Sequence, residues 1–274
     1  MPQEESPLRE SLLYAETDLD HVERYRFAAG QAALFTARSP FKETVNEDTL
    51  SLIPVGDRAG VLAIADGLGG LPAGEVASRL AITTLREVLS GVEGNGMSLR
   101  EAILDGIERA NANILALGTG CATTLAVVEL QERMMRSYHA GDSIIMLVGQ
   151  RGKLKFQSVP HSPVGYAVEA GLLDETEAVH HEHRNIVSNV LGTPEMRIEV
   201  GPAIQLSSRD TLLLASDGLP DNLYVDEIVE LIRSGPIASA ADALVREGCE
   251  RMETFHPDRP SHPDDLSIIL YRPL

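Results

Sequence analysis

The apolar run VLAIADGLGG, residues 61 to 70, stops at an aspartate followed by glycines, and LLLASDGLPD, residues 212 to 221, repeats the pattern far down the chain. Each run has the length of a strand without the polar alternation of one that has a wet face, so both read as strands buried in a core. A carboxylate does not enter such a core unpaired, so each strand must end where charge is tolerated. Two strands terminating in Asp-Gly point to a fold whose strand ends share a solvated rim.

The rest of the chain supplies partners for them. FAAGQAALFTA (27–37), TLSLIPV (49–55), ATTLAVVEL (122–130), RMMRSYH (133–139), SIIMLV (143–148), KLKFQSV (153–159), TLLLAS (211–216) and LSIILYR (266–272) are short apolar or alternating runs separated by turn residues. From Pro72 the period changes: Val76, Ala77, Leu80, Ala81, Leu85, Val88 and Leu89 recur at helical spacing until Gly91. Ser98 and Glu101 form a capping-box pattern ahead of a second amphipathic helix carrying Ile103, Ile107, Ala110 and Ile114. Residues 225–233 and 238–252 read as a further helix pair, and residues 160–200, irregular and rich in His and Glu, as a surface segment with short helices. Strands, two helices, strands, two helices, strand is an α+β order. Residues 1–25, polar and acidic, read as an N-terminal extension or leading helix ahead of one domain over 26–274.

Composition narrows the partners. A chain of 274 residues with 43% hydrophobic content can build one substantial core. A net charge of −18 with only 23 Lys and Arg leaves no basic surface for nucleic acid or for an anionic membrane. No stretch approaches the roughly 18 consecutive apolar residues of a membrane span, and the N-terminus has no signal-peptide core, so a soluble cytoplasmic monomer is expected. Cys121 and Cys249 lack metal-ligand spacing and read as reduced structural thiols.

Acids gather at strand ends and adjoining turns: Asn46-Glu47-Asp48, Asp66, Asp217 and Asp264-Asp265. A single Asp-Gly pair is explained by chain reversal alone. The set weighs more, because carboxylates brought to one rim repel and raise one another's pKa values, and hard divalent cations resolve that conflict. Lacking His and Cys, the set favours Mg²⁺ or Mn²⁺ over Zn²⁺. With no side chain at Gly67, its carbonyl can approach a cation as a further oxygen ligand. Two ions about 3.5–4 Å apart, bridged by Asp66, would hold a water nucleophile and neutralise charge on a phosphoryl group.

In ADGLGGLPAGEVASRLA the chain resembles the DGxGG-then-helix signature of the metal-dependent serine/threonine protein phosphatases, the PPM or type 2C family, in its bacterial form. Further matching pieces follow in family order: VNEDTL (45–50), TGCATTLAVV (119–128), AGDSI (140–144), the flap-like HSPVGYAVEAGLLDETEA (161–178) and HRNIVSNVLG (183–192), ASDGLPDNL (215–223) and PDDLSIILYR (263–272). The resemblance implies a central β-sandwich of two mainly antiparallel sheets flanked by helices on both sides. It also implies hydrolysis of phosphoserine or phosphothreonine in a phosphorylated protein substrate by water activated at a binuclear metal site. Carried over by residue, Asp66 bridges two Mg²⁺ or Mn²⁺ ions, Asp217 and Asp264 complete one of them, and Glu47 or Asp48 with the Gly67 carbonyl serves the other. Asp142, with Asp217, supports a third, weaker site. Asp66, Asp217 and Asp264 are then the catalytic acids.

Departures from the pattern concern phosphate binding. The position of the family's phosphate-binding Arg is Glu43, which leaves Lys42, one residue away, or the metals alone to hold phosphate. Ile144 replaces the Arg of the family's GDSR, Leu68 stands where eukaryotic relatives place a His, and Asp265 replaces an Asn. Loss of the Arg keeps open the alternative of a pseudophosphatase, a binding or sensor module on the same fold. A nucleotide loop in GLGGLP fails because Pro72 takes the third glycine position and Asp66 would face the pyrophosphate. His180-His181-Glu182-His183 lacks zinc-site spacing and reads as a solvated face.

Overall fold

The strands that read as continuously apolar are buried on both faces. A computed structural model describes residues 6–68, 73–92, 96–255 and 259–274; Gly69, Gly70 and Pro72 lie outside the described residues. One sheet has the order β1 (Leu12–Ala15), β4 (Asp48–Val55), β5 (Ala59–Asp66), β6 (Leu125–Gln131), β7 (Met134–Ala140) and β10 (Glu199–Val200), with β11 (Ile204–Gln205) also on β7. The other has the order β2 (Glu23–Phe27), β3 (Gly30–Ala37), β13 (Leu266–Pro273), β12 (Thr211–Ala215), β8 (Ile144–Val148) and β9 (Leu154–Gln157). Pairing between these strands is antiparallel throughout.

Alternation along each strand divides its side chains between two cores. On β5, Leu62 and Ile64 meet Leu212, Leu214 and Ile269 of the opposite sheet. Val61, Ala63 and Ala65 of the same strand turn outward onto the helices α1 (Gly74–Ser90) and α2 (Leu99–Ala116). On the far side Leu213, Ala215, Ile268 and Leu270 pack against α5 (Val225–Ile232) and α6 (Ile237–Glu253). The result is four layers, helices–sheet–sheet–helices, the α+β sandwich expected from the sequence. Helix α2 starts at the capping box, with Glu101 N donating to Ser98 Oγ at 3.3 Å and Ser98 N to Glu101 Oε2 at 2.9 Å.

The N-terminal segment departs from expectation. In place of a leading helix it contributes β1 to one sheet and β2 to the other, and the boundary drawn at 25/26 runs through β2. The physical reason is alternation masked by charge: in ERYRF, Tyr25 and Phe27 face the central core, Glu23 shares their face and accepts from the hydroxyls of Tyr14 and Tyr25, and Arg24 and Arg26 fall on the opposite face. Residues 160–200 carry the short helices α3 (Pro163–Glu169) and α4 (Glu175–Ala178). Cys121 and Cys249 are free thiols. No helix among the described residues is long and apolar enough to cross a membrane.

Candidate metal centre

The face that builds the central core also delivers the polar site. Beyond Leu34, Ala126, Ile145, Leu214 and Ile269, the next inward positions are Thr36, Thr124, Ser143, Ser216 and Ser267, all buried. These side chains bond across strands: Thr36 Oγ1 lies 2.8 Å from Ser267 Oγ, and Thr124 Oγ1 2.7 Å from Ser143 Oγ. The Ser267 amide donates to Ser216 Oγ at 3.0 Å. A layer of hydroxyls thus separates the apolar core from the rim, and the next groups along the strands are carboxylates.

Asp48 and Asp66 face each other as register partners on β4 and β5. Ile144 of β8 pairs with Ala215 of β12, so Asp142, two residues before the one, and Asp217, two residues after the other, leave the sheet at the same end. Asp264 and Asp265 immediately precede β13, which lies beside β12. Separate stretches of chain therefore bring their acids to one rim.

Burial and the neighbouring charges shift the carboxyls of Asp48, Asp66, Asp142, Asp217 and Asp264 upward. Burial pushes the Asp48 carboxyl up to about 7, with the charge of Asp265 adding to it. Burial lifts Asp66 well above the usual carboxylate range, and Asp217, Asp48, Asp264 and Asp142 raise it further. Asp217 is lifted in the same way, with Asp264 as its leading charged neighbour. Asp142 is pushed up to about 6 and Asp264 is raised, each chiefly by desolvation. Asp48 Oδ2 accepts from Ser216 Oγ at 2.8 Å, but Asp48 Oδ1 and Asp142 Oδ1 are buried without a partner. Buried carboxylate oxygens with no donor, in an all-oxygen set crowded with negative charge, fit hard divalent cations.

The acids line a cup rather than converge on a point. Among the described residues, the set of three whose donor atoms all approach within 4.8 Å is instead His139, His161 and Glu199. Mg²⁺-type ions keep several waters and need only one or two protein carboxylates each, so an open cup suits them. The histidine set does not: its rings are stacked, with centroids 4.4 Å apart and planes 15° apart, so their lone pairs point along separate planes. His161 Nδ1 already accepts from Gly141 N at 3.1 Å and faces Asn189 Nδ2 at 2.9 Å. This group fastens the segment after β9 to the end of β7. Nothing in its scattered sequence positions signalled it.

Both Asp-Gly pairs owe their glycine to a close crossing of chain. A Cβ on Gly67 would lie 2.4 Å from the Gly74 carbonyl, and one on Gly218 2.1 Å from the Asp265 carbonyl. The first crossing brings the start of α1 against β5, and the second locks the turn after β12 to the segment before β13. Gly67 N donates to Glu47 O at 3.2 Å, which ties the Glu47-Asp48 segment to Asp66.

Lys42 sits among acids. Its ammonium donates to Glu47 Oε2 at 2.5 Å and Asp265 Oδ2 at 2.6 Å. Burial pulls the ammonium's pKa down, but these two partners more than offset this and leave it above its ordinary value. Asp265, standing where Asn was expected, also accepts from the amides of Ser39 at 2.8 Å and Glu47 at 2.7 Å, so it clasps the 39–47 loop. Glu43 is exposed. Two further residues escaped the sequence reading. Asp221, one turn beyond Asp217, is pushed up to about 7 by burial, although the Arg184 guanidinium opposes the shift. Arg184 Nε lies 3.6 Å from Asp221, and another guanidinium nitrogen donates to His262 Nδ1 at 3.0 Å. The D-x-x-x-D spacing in SDGLPD was the available signal for Asp221.

A helix-flanked antiparallel sandwich with a carboxylate cup at one rim defines the class of a divalent-metal-dependent enzyme. The protein phosphatase 2C family matches residues 41–259, and the chain belongs to it. Protein phosphatase PhpP of Streptococcus pneumoniae is 34% identical over 216 residues, spanning 75% of this chain and 86% of PhpP. The serine/threonine phosphatase of S. agalactiae superposes with a TM-score of 0.76 at 25% identity, covering 89% of this chain and 99% of that one. The catalytic domain of the serine/threonine phosphatase PstP, solved in complex with 2 manganese ions, superposes with a TM-score of 0.70 at 25% identity, covering 88% and 96%.

Proposed function

We propose that this chain hydrolyses phosphoserine and phosphothreonine in protein substrates with the aid of two divalent cations, Mg²⁺ or Mn²⁺. The observation that carries the reading is the gathering of Asp48, Asp66, Asp142, Asp217 and Asp264 at one rim, where they raise one another's pKa values and leave buried oxygens without donors. Asp66 would contact both ions, Asp217 and Asp264 one, and Glu47, Asp48 and the Gly67 carbonyl the other; Asp142 with Asp217 would support a third, weaker site. When bound, such ions lower the pKa of an attacking water and neutralise charge developing on the phosphoryl group.

The chain's own residues set the geometry. Behind the acids, Ser216 Oγ donates to Asp48 Oδ2, Thr124 Oγ1 accepts from the Asp66 amide and lies against Ser143 Oγ, and Ser216 Oγ accepts from the Ser267 amide, so the strand ends that carry the acids are organised before substrate arrives. The Lys42 ammonium, held between Glu47 and Asp265, positions Glu47 and offers phosphate a point charge rather than a bidentate fork. Leu68 has no proton to give, so protonation of the departing alkoxide falls to water. The protein is expected to act as a monomer in the cytoplasm, with no nucleic-acid or membrane partner.

The test is hydrolysis of p-nitrophenyl phosphate and of a phosphothreonine peptide with Mn²⁺, with EDTA, and in Asp66→Asn. Turnover that requires Mn²⁺ and falls by roughly three orders of magnitude in Asp66→Asn is expected. Metal-independent turnover would reject the mechanism, and no turnover under any condition would favour the pseudophosphatase.

A further inference from the structure

Beside the acidic cup, and sharing its wall, lies a cavity of about 350 Å³. Asp142, Asp217 and Asp221 line it, so the cavity abuts the cup along these acids. The remaining walls are largely apolar: Ile144 at the start of β8, Val164 and Val168 of α3, Val179 just past α4, and Leu223 and Val225 where α5 begins. Exposed Glu169 and Glu175 also line it, and between them in the chain Leu172 is 81% exposed. Among the described residues that line it, the one basic side chain, Arg184, faces Asp221 at 3.6 Å and bonds His262.

Size and charge select the occupant. The volume falls at the lower end of the roughly 300–1,000 Å³ of ligand pockets, room for an apolar side chain together with the backbone that carries it. The Glu169 and Glu175 carboxylates at the edge, on a chain of net charge −18, disfavour an anionic guest outside the cup. An apolar body accompanied by a cation is the complement. A group anchored in the cup by its phosphate carries its neighbouring residues directly past this opening.

We propose that the cavity is a specificity subsite: it receives an apolar side chain of the phosphoprotein close to the phosphorylated residue, while a basic residue of the same segment lies against Glu169 and Glu175. This rests on the phosphatase reading above, because the phosphoryl group in the cup is what brings the segment to the cavity. Helices α3 and α4 then read the substrate's sequence, and discrimination is expressed mainly in KM.

The experiment compares three substrates in Mn²⁺ buffer: p-nitrophenyl phosphate, a phosphothreonine peptide flanked only by Ala, and a set of the same peptide with Leu and Arg placed in turn before and after the phosphothreonine. At least one Leu/Arg placement is expected to raise kcat/KM about tenfold over the Ala peptide through a lower KM. Val168→Asp, at a half-buried position, should bring the two peptides to within about twofold of each other. The double variant Glu169→Lys/Glu175→Lys, on exposed positions, should shift the preference to peptides carrying Glu in place of Arg. Equal kcat/KM for all peptides while p-nitrophenyl phosphate is still hydrolysed overturns the subsite alone, as does a preference that survives both variants. Failure to hydrolyse any of the three substrates overturns the phosphatase reading, and the subsite with it.

Discussion

At the scale of single residues, the glycines after Asp66 and Asp217 have a mechanical role that the Asp-Gly turn pattern conceals. Gly218 touches the backbone carbonyl of Asp265, which in turn holds Lys42 and the 39–47 loop, so one missing methyl group sets the spacing between Asp217 and Asp264. Gly218→Ala is therefore expected to cost about 1–3 kcal/mol, because a backbone carbonyl, unlike a flexible side chain, has no alternative rotamer to escape into. Urea unfolding of the variant should show a lower midpoint with an unchanged slope, and a midpoint equal to that of the parent protein would show that the crossing is not tight. The sequence displayed these glycines plainly. Their reason was not legible, since Gly74 and Asp265 become neighbours of Gly67 and Gly218 only once the strands have paired.

At the scale of elements, the acids are a property of strand ends. Asp48 and Asp221 are pushed up to about 7 and Asp142 to about 6. Each binds its proton more tightly in the folded protein than in the unfolded chain, so between about pH 4 and pH 7 the folded state carries more protons and stability falls as pH rises. In EDTA the melting temperature is accordingly expected to be higher at pH 5 than at pH 8, and Mn²⁺ is expected to recover most of the loss at pH 8. A melting temperature in EDTA that is flat or rising over that range would contradict the crowding of charge. Most elements were legible because apolar runs such as TLLLAS and LSIILYR are too continuous for a strand with a wet face, and because Ser98 and Glu101 announce their helix. β1 and β2 were not: β1 is only four residues, Leu12–Ala15, within a polar, acidic stretch, and in the edge strand β2 the apolar Tyr25 and Phe27 are interleaved with Glu23, Arg24 and Arg26. Of the site, the metal-binding candidates were legible as strand-end acids. Asp221 and Arg184 were obscured because their importance lies in facing each other across a loop of unpatterned sequence.

At the scale of the whole molecule, two sheets and the helix layers on their two outer faces serve to hold a concentration of negative charge that no single element could support. An apolar sandwich core, a hydroxyl layer and then a ring of carboxylates succeed one another along the same strand faces. On a chain of net charge −18, cations bound in the cup would reverse the local sign where a phosphoryl group must approach. That reversal is the central claim, and the most direct measurement of it is anomalous scattering at the manganese edge from crystals grown with Mn²⁺. The account predicts two peaks about 3.5–4 Å apart, both in contact with the carboxylate of Asp66, one shared with Asp217 and Asp264 and the other on the side of Glu47 and Asp48. A map with no peak against Asp66, or with manganese only at His139, His161 and Glu199, would contradict it.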